Sequence, residues 1–188
     1  MDDTRGEVGV ADAAEADIVT LGPTRRRVEL RGPLAVGWAG RLASGLAAQR
    51  IDIVRGWARD RGGASWDAQL DIELPPSTGL TPGLVLRLAR PDAAPLRTPL
   101  AGLELLDHRL RWSGPDVVVE LEAADGRGFL DRTLRLFALY GLFPREMQIE
   151  TVDGLVHDVF RLRSMHGGAP ERSTVDALGS KLRRITLT

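Results

Sequence analysis

Two stretches of this chain carry the same residues at a constant offset of 91 positions, and this internal repeat constrains the fold more than any other feature. The matches pair Val28-Glu29-Leu30 with Val119-Glu120-Leu121, Gly37 with Gly128, Arg41 with Arg132, Ala47 with Ala138, Gly63 with Gly154, and Asp67 with Asp158. Glycine adopts backbone conformations that other residues avoid, so glycines repeated at turns indicate repeated backbone geometry. The period is too long for a solenoid repeat. It therefore predicts two copies of one small domain.

Length and composition set limits on the class of protein. The 188 residues have room for one large domain or two of roughly 70 to 100 residues. The absence of cysteine excludes disulfides, thiolate catalysis and cysteine-containing zinc sites. No apolar run approaches ~18 residues, and the acidic start lacks the basic segment of a secretory signal. We therefore expect a cytoplasmic protein with no membrane partner.

The charge is small overall and unevenly spread. Residues 1–24 hold six acidic residues and one arginine, whereas the rest of the chain has a net charge of +4. This excess is too mild for a nucleic-acid partner, which usually requires a strongly basic face. All but one of the basic residues are arginine, which fits a coding bias better than a phosphate site.

The hydrophobic pattern predicts the same elements in both copies. In the first copy it predicts strands at 25–31, 51–61, 64–74 and 103–112, and helices at 38–49 and 81–89. In the second copy it predicts strands at 116–123, 143–152, 155–163 and 185–188, and helices at 129–140 and 170–184. The order β-α-β-β-α-β is typical of the ferredoxin-like fold, an antiparallel sheet with both helices on one face.

Local turn signals support these elements. Gly62-Gly63 and Asp153-Gly154 predict two-residue hairpin turns, and Thr81-Pro82 predicts a helix start with Thr as N-cap. The predicted class is α+β with two ferredoxin-like domains at 25–113 and 114–188. Residues 1–24 are expected to be a disordered tail, although 18–21 could add an edge strand. Such units commonly pair through edge strands or through the bare face of the sheet.

The turn before the helix of the second copy carries the main functional signal, Asp125-Gly126-Arg127-Gly128-Phe129-Leu130. Gly126 and Gly128 permit a sharp turn and a close approach to another group. The free N–H groups of the helix start favour a carboxylate, and Asp125 could hold an ammonium group. A small zwitterion such as an amino acid suits this pair. The simpler interpretation is that Asp125 only caps the helix.

These motifs, with Gly154-Leu155-Val156-His157-Asp158-Val159-Phe160, resemble an ACT domain. The pattern is most similar to the C-terminal ACT pair of bacterial uridylyltransferases that sense glutamine, in which Asp-Arg-Pro-Gly-Leu-Leu is typical of this turn. Asp125, Gly128 and Leu130 match that pattern, whereas Gly126, Arg127 and Phe129 depart from it. The resemblance covers about 117–188 and extends to 25–112 mainly through the internal repeat.

The resemblance implies a non-enzymatic regulatory protein that binds an amino acid at the turn and at the domain interface. The candidate ligand-binding residues are Asp125, Gly126, Arg127, Gly128, Phe129 and Leu130. The first copy has Leu34, Val36, Gly37 and Trp38 at the matching positions and lacks the acid, which favours a scaffold role for that copy. The expected partners are a second copy of the chain, as in a homodimer, or a regulated protein.

Other residues offer no chemistry of their own. None of the three histidines has metal-ligand spacing, so no metal, cofactor or catalytic residue is expected. His157 and Asp158 should face opposite sides of one strand. An Arg–Asp pair in each copy, Arg41 with Asp67 and Arg132 with Asp158, is one hypothesis, and solvated aspartates near the strand ends are the alternative. Two functions remain open beside the sensor: an interaction scaffold that has lost its ligand, and a small enzyme.

Overall fold

The computed structural model describes residues 13–91 and 102–186. Within them the chain is α+β, with eight strands and four helices. The strands are β1 (Glu15–Thr20), β2 (Arg25–Pro33), β3 (Asp52–Gly62), β4 (Ser65–Glu73), β5 (Asp107–Ser113), β6 (Asp116–Ala124), β7 (Leu142–Val152) and β8 (Leu155–Ser164). The helices are α1 (Trp38–Ala48), α2 (Pro82–Ala89), α3 (Phe129–Leu139) and α4 (Arg172–Ile185).

The repeat seen in the sequence is present in the structure. β6 begins and ends 91 residues after β2, and α3 begins and ends 91 residues after α1. The predicted start of α2 is also confirmed, because Thr81 Oγ1 accepts a hydrogen bond from the backbone N–H of Leu84 at 3.3 Å. Local sequence patterns were therefore sufficient to locate these elements.

All eight strands belong to one antiparallel sheet, in the order β1-β2-β4-β3-β7-β8-β6-β5. β3 pairs with β7 from Arg55↔Glu150 to Arg59↔Glu146. This pairing joins the two copies side by side at the centre of the sheet. It covers two strand edges that would otherwise be free to pair with another chain.

The positions of the two outer strands differ from the prediction. The strand expected to close the first copy is β5, and it pairs with β6 of the second copy, where Leu110 lies opposite Val119. In the first copy the corresponding place beside β2 is taken by β1, so the edge strand offered as an alternative at 18–21 is present, at Glu15–Thr20. Each copy thus runs β-β-α-β-β-α. The sequence did not predict this order, because a strand pattern identifies a strand without identifying its neighbour.

The remaining terminal predictions have mixed outcomes. Ile185 ends α4, and Thr186 forms an isolated parallel bridge with Leu105 in place of a closing strand. Residues 1–12 of the predicted tail, residues 92–101, and the last two residues of the predicted closing strand, 187–188, lie outside the described residues.

The two hairpin turns predicted from the sequence each have two central residues in the left-handed region. These are Gly63 and Ala64 in the first copy, with φ of 61° and 65°, and Asp153 and Gly154 in the second, with 51° and 77°. Two positive φ angles are the signature of a type I′ turn, which matches the twist of a hairpin. The turn predicted at Gly62-Gly63 is therefore wrong by one residue, since Gly62 still pairs with Ser65.

This displacement changes which residues of β4 and β8 correspond. The register of β3 shifts between Asp60 and Gly62, so the structural offset becomes 90 residues in the strand that follows. Asp158 lies opposite Leu121, and in the first copy the residue opposite Leu30 is Ala68. Asp158 therefore occupies the position of a buried alanine, and Asp158 and Asp67 are not structurally equivalent.

Most buried side chains fall on one face of the sheet and form a single core with the helices, whereas Val118 and Asp116 are buried on the other face. One row across the sheet contains Leu30, Ala68, Ala58, Met147, Phe160 and Val119. The opposite face is charged, and its arginines pair with acids on neighbouring strands, as in Arg27–Asp71 at 2.7 Å. That face is therefore solvated without an apolar partner.

α3 packs against α1 across the junction of the two copies. A Cβ atom built on Gly40 of α1 would lie 3.6 Å from Leu134 of α3, and one built on Gly128 would lie 3.7 Å from Ala47. No helix of the described residues is long and apolar enough to cross a membrane.

Candidate functional site

The turns that precede α1 and α3 have the same geometry. Their N-cap glycines are left-handed, with φ of 79° at Gly37 and 74° at Gly128. Arg132 Nη1 donates to the carbonyl oxygen of Arg127 at 3.0 Å, and Arg41 Nη1 donates to the carbonyl of Val36 at the same distance. The arginine that recurs in the repeat therefore closes the turn that recurs with it.

The hypothesis of an Arg–Asp pair in each copy is wrong. Arg61 Nε donates to Asp67 at 2.7 Å, and Asp158 accepts a 3.3 Å hydrogen bond from the backbone N–H of Glu150. The alternative of water-exposed aspartates is also wrong for Asp158, whose exposure is 1%. The 91-residue offset paired Asp158 with Asp67, but the structural offset between β4 and β8 is 90 residues, so this pairing was wrong.

The predicted site residues border a small space, here named the turn crevice. Its described walls are Ala43, Ala47, Ile51, Asp52, Ile53, Asp125, Gly126, Gly128, Phe129, Leu130, Asp131, Ile149, Thr151, Val156 and Asp158. The crevice has a volume of about 40 Å³, little more than the roughly 30 Å³ share of one water in the liquid. Five of the six predicted residues thus meet at one place. That place holds a water-sized group rather than a whole amino acid.

The sixth residue, Arg127, lies beside the crevice. Its Nε is 3.6 Å from Asp52 Oδ1, and both side chains are about half exposed. This contact joins the turn of the second copy to the start of β3 in the first copy. The turn is also tied to the β7–β8 hairpin, because the N–H of Asp125 donates to the carbonyl of Gly154 at 2.8 Å.

Asp158 has the strongest electrostatic perturbation described in the crevice. Burial raises its pKa to about 7, the hydrogen bond from the N–H of Glu150 acts in the opposite direction, and the negative charge of Asp125 raises the pKa further. Its Oδ2 accepts no hydrogen bond from any described residue. Nothing in the sequence marked Asp158 as buried, beyond its alternation with Val156 and Phe160.

The pseudo-equivalent space at the first turn is larger, and we name it the Trp38 cleft. Its described walls are Val36, Gly37, Trp38, Ala39, Gly40, Arg41, Ser44, Trp66, Asp131, Leu134, Arg135, Ala138, Phe143, Pro144 and Met147. Its volume is about 430 Å³, within the range of small-molecule sites. The repeat relates the two spaces, since Gly37, Trp38 and Ala39 correspond to Gly128, Phe129 and Leu130.

Both copies contribute to the Trp38 cleft. The first copy supplies the turn, the first half of α1 and Trp66, whose ring lies 5.5 Å from that of Trp38 in an edge-to-face arrangement. The second copy supplies α3 and the start of β7. Reasoning from the sequence missed this site, because the missing acid in the first turn favoured a scaffold role.

A few polar groups interrupt the apolar wall of the cleft. Trp38 Nε1 and Ser44 Oγ are buried with no hydrogen-bond partner among the described residues. Asp131 is 1% exposed and lies 3.9 Å from Arg135. The first-turn N–H groups of Ala39 and Gly40 have no acceptor one turn earlier in the helix. The cleft thus combines an apolar body with a helix N-terminus that favours an anion.

The charged face of the sheet contains a third space, of about 660 Å³, around the exposed side chain of Trp57. Four of its five arginines form ion pairs, as in Arg59–Glu146 at 2.6 Å. His157 lies on this face near Glu122, opposite the buried Asp158, as predicted. Among the described residues no group of three or more His, Cys, Asp or Glu side chains is placed to hold a metal ion.

Comparison with known proteins gives no further assignment. The chain matches no protein-family model, no curated protein and no solved structure. The candidate function therefore depends on the geometry of the two turn sites.

Proposed function

We propose that this chain is a non-enzymatic regulatory protein that binds a small ligand in the Trp38 cleft, between two ferredoxin-like units of the ACT type. The observation that carries the proposal is a cleft of about 430 Å³ whose walls come from both copies. A ligand that contacts both walls binds best when the copies keep this relative position. Binding would therefore stabilise the junction of the two copies, which a regulated partner or a second copy of the chain could detect.

The lining favours a carboxylate with an apolar side chain. The first turn of α1 suits the carboxylate, and Trp66, Leu134, Phe143 and Met147 suit an apolar or aromatic body. Amino acids such as leucine, phenylalanine and tryptophan meet this description. Glutamine, which the family resemblance favours, would place a polar amide against these apolar groups.

The test is a thermal-shift panel of the twenty amino acids with a matched pair of variants. Ala138 lines the cleft and Leu139 follows it, 69% exposed and outside the cleft. Ala138→Phe should fill the cleft and abolish the shift given by the best ligand, whereas Leu139→Phe should keep it. If no amino acid shifts the melting temperature of the wild type, or if Ala138→Phe responds like the wild type, the proposal is wrong.

A protein-interaction scaffold that has lost its ligand is the second candidate. The turn crevice supports it, because the turn that resembles the ACT motif borders only about 40 Å³. This function predicts indifference to every amino acid in the panel. The same experiment therefore separates the two candidates.

A further inference from the structure

The turn crevice has features that ligand binding in the Trp38 cleft does not use. The first copy has a buried alanine, Ala68, at the position where the second copy has Asp158. The same backbone thus folds with a methyl group at this place. A buried carboxylate is costly unless it is paired, so the fold alone gives no reason for the acid.

The free oxygen of Asp158 is the second observation. Asp158 is 1% exposed, lines the crevice, and accepts a hydrogen bond from Glu150 through Oδ1, while Oδ2 has no partner among the described residues. Buried carboxylate oxygens in folded proteins nearly always have a hydrogen-bond donor. Protonation of Oδ2, a water or a bound cation would complete this group.

The other charged groups around the crevice come from each element packed against it. Asp125 belongs to the β6–α3 turn and Asp52 to the start of β3, where Arg127 lies beside it. Asp131 of α3 is beside Arg135. The walls from α1 are Ala43 and Ala47, and those from β7 and β8 include Ile149, Thr151 and Val156. The crevice is therefore acidic, with apolar walls elsewhere.

We propose that the turn crevice binds a small ammonium-type cation between Asp158 and Asp125. An ammonium group donates charge-assisted N–H hydrogen bonds to both carboxylates. The site is poorer for Mg²⁺ or Ca²⁺, which take six or more oxygen ligands. On binding, the carboxylic acid of Asp158 gives its proton to the solvent and the cation takes its place, so affinity rises with pH.

The experiment compares ammonium chloride with tetramethylammonium chloride at equal ionic strength, because the second cation has no N–H donor. At pH 8 ammonium should raise the melting temperature of the wild type and tetramethylammonium should not. The half-saturating ammonium concentration should be about tenfold lower at pH 8 than at pH 6, since the ionised fraction of Asp158 rises from about a tenth to about nine tenths. Methylammonium separates the two sources: an equal shift indicates the head of a larger amine, and no shift indicates the free ion.

Asp158→Asn and Asp158→Ala should both lose the ammonium effect, and the alanine variant reproduces the arrangement of the first copy. Asp67→Asn is the matched control, because Asp67 lies outside the crevice and pairs with Arg61, and it should respond like the wild type. Equal melting temperatures in the two salts for the wild type, or an ammonium effect that persists in Asp158→Asn, would overturn the proposal.

A second measurement is independent of the stability of the variants. Wild-type protein with ¹⁵N-ammonium at pH 8 should give an NMR signal of bound, slowly exchanging ammonium protons. The absence of any bound-ammonium signal would contradict the proposal. The experiment uses small ions and the turn before α3. A negative result would therefore leave the proposed ligand binding in the Trp38 cleft unaffected.

Discussion

Replacing Asp158 by asparagine should make the protein more stable at high pH, relative to the wild type. Asparagine keeps the size of the side chain and an oxygen for the N–H of Glu150, and it cannot ionise. Burial raises the folded-state pKa of Asp158 to about 7, from the usual 3.8 of an aspartate in the unfolded chain. The folded wild type therefore binds a proton that the unfolded chain has released, and its stability falls as pH rises from about 4 to about 7.

The magnitude follows from the two pKa values. Between pH 5 and pH 8 the linkage relation gives a loss of roughly 2 to 3 kcal/mol for the wild type, none of which the asparagine variant shares. The difference in unfolding free energy between variant and wild type should increase by that amount over this range. Other carboxyl groups titrate alike in both proteins and cancel in the difference.

The assay is urea denaturation of both proteins at pH 5 and pH 8, in a buffer without ammonium or primary amines. The free energy of unfolding comes from linear extrapolation, and equal slopes verify that the variant unfolds from the same fold. A difference between the proteins that stays the same within about 0.5 kcal/mol at the two pH values would refute the buried, neutral Asp158.

Two other predictions concern packing and ion pairs. Arg163→Met should cost about 1–3 kcal/mol at pH 7, because Asp116 is 6% exposed and loses a hydrogen-bonded partner. Burial raises the pKa of Asp116, but its bonds to Arg163 and Arg161 outweigh burial and leave the pKa below the usual value. The cost should therefore shrink as pH falls through that lowered pKa. Urea denaturation at pH 2.5, about one unit below the usual carboxyl pKa, measures this change. An unchanged cost would count against the ion pair. Gly45→Ala should destabilise the protein by up to about 2 kcal/mol, because its Cβ would lie 2.5 Å from the side chain of Leu88 and the overpacking exceeds the helix-propensity gain of alanine over glycine. Gly83→Ala in α2 meets no atom within 4 Å and should be neutral or stabilising by up to about 1 kcal/mol; equal melting temperatures for the two alanine variants would contradict the close packing of α1 and α2.

Local signals in the sequence predicted the elements well, because they depend on near neighbours. The start of α2 follows from Thr81-Pro82, and the left-handed turns follow from Gly37 and Gly128. The order of the outer strands did not follow, since the hydrophobic pattern of β5 is compatible with a place beside either copy.

For the same reason the sequence located the turn that borders the turn crevice and missed the Trp38 cleft. The six-residue turn was identified, but the space it borders depends on α1 and β3 of the other copy, which no local pattern describes. Asp158 was aligned with Asp67 because the hairpin of the first copy holds an extra residue in a β-bulge. One inserted residue moves a strand's side chains to the other face, so the burial of Asp158 was visible only in the folded chain.

The indole N–H signals report directly on ligand binding between the two copies in the Trp38 cleft. The chain has four tryptophans. Trp38 and Trp66 line the cleft, whereas Trp57 and Trp112 are exposed elsewhere and serve as internal controls. We titrate the protein with the best ligand of the panel and record ¹H–¹⁵N spectra. We expect saturable shifts for Trp38 and Trp66 and unchanged signals for Trp57 and Trp112. Shifts confined to Trp57 or Trp112, or no shift at all, would contradict it.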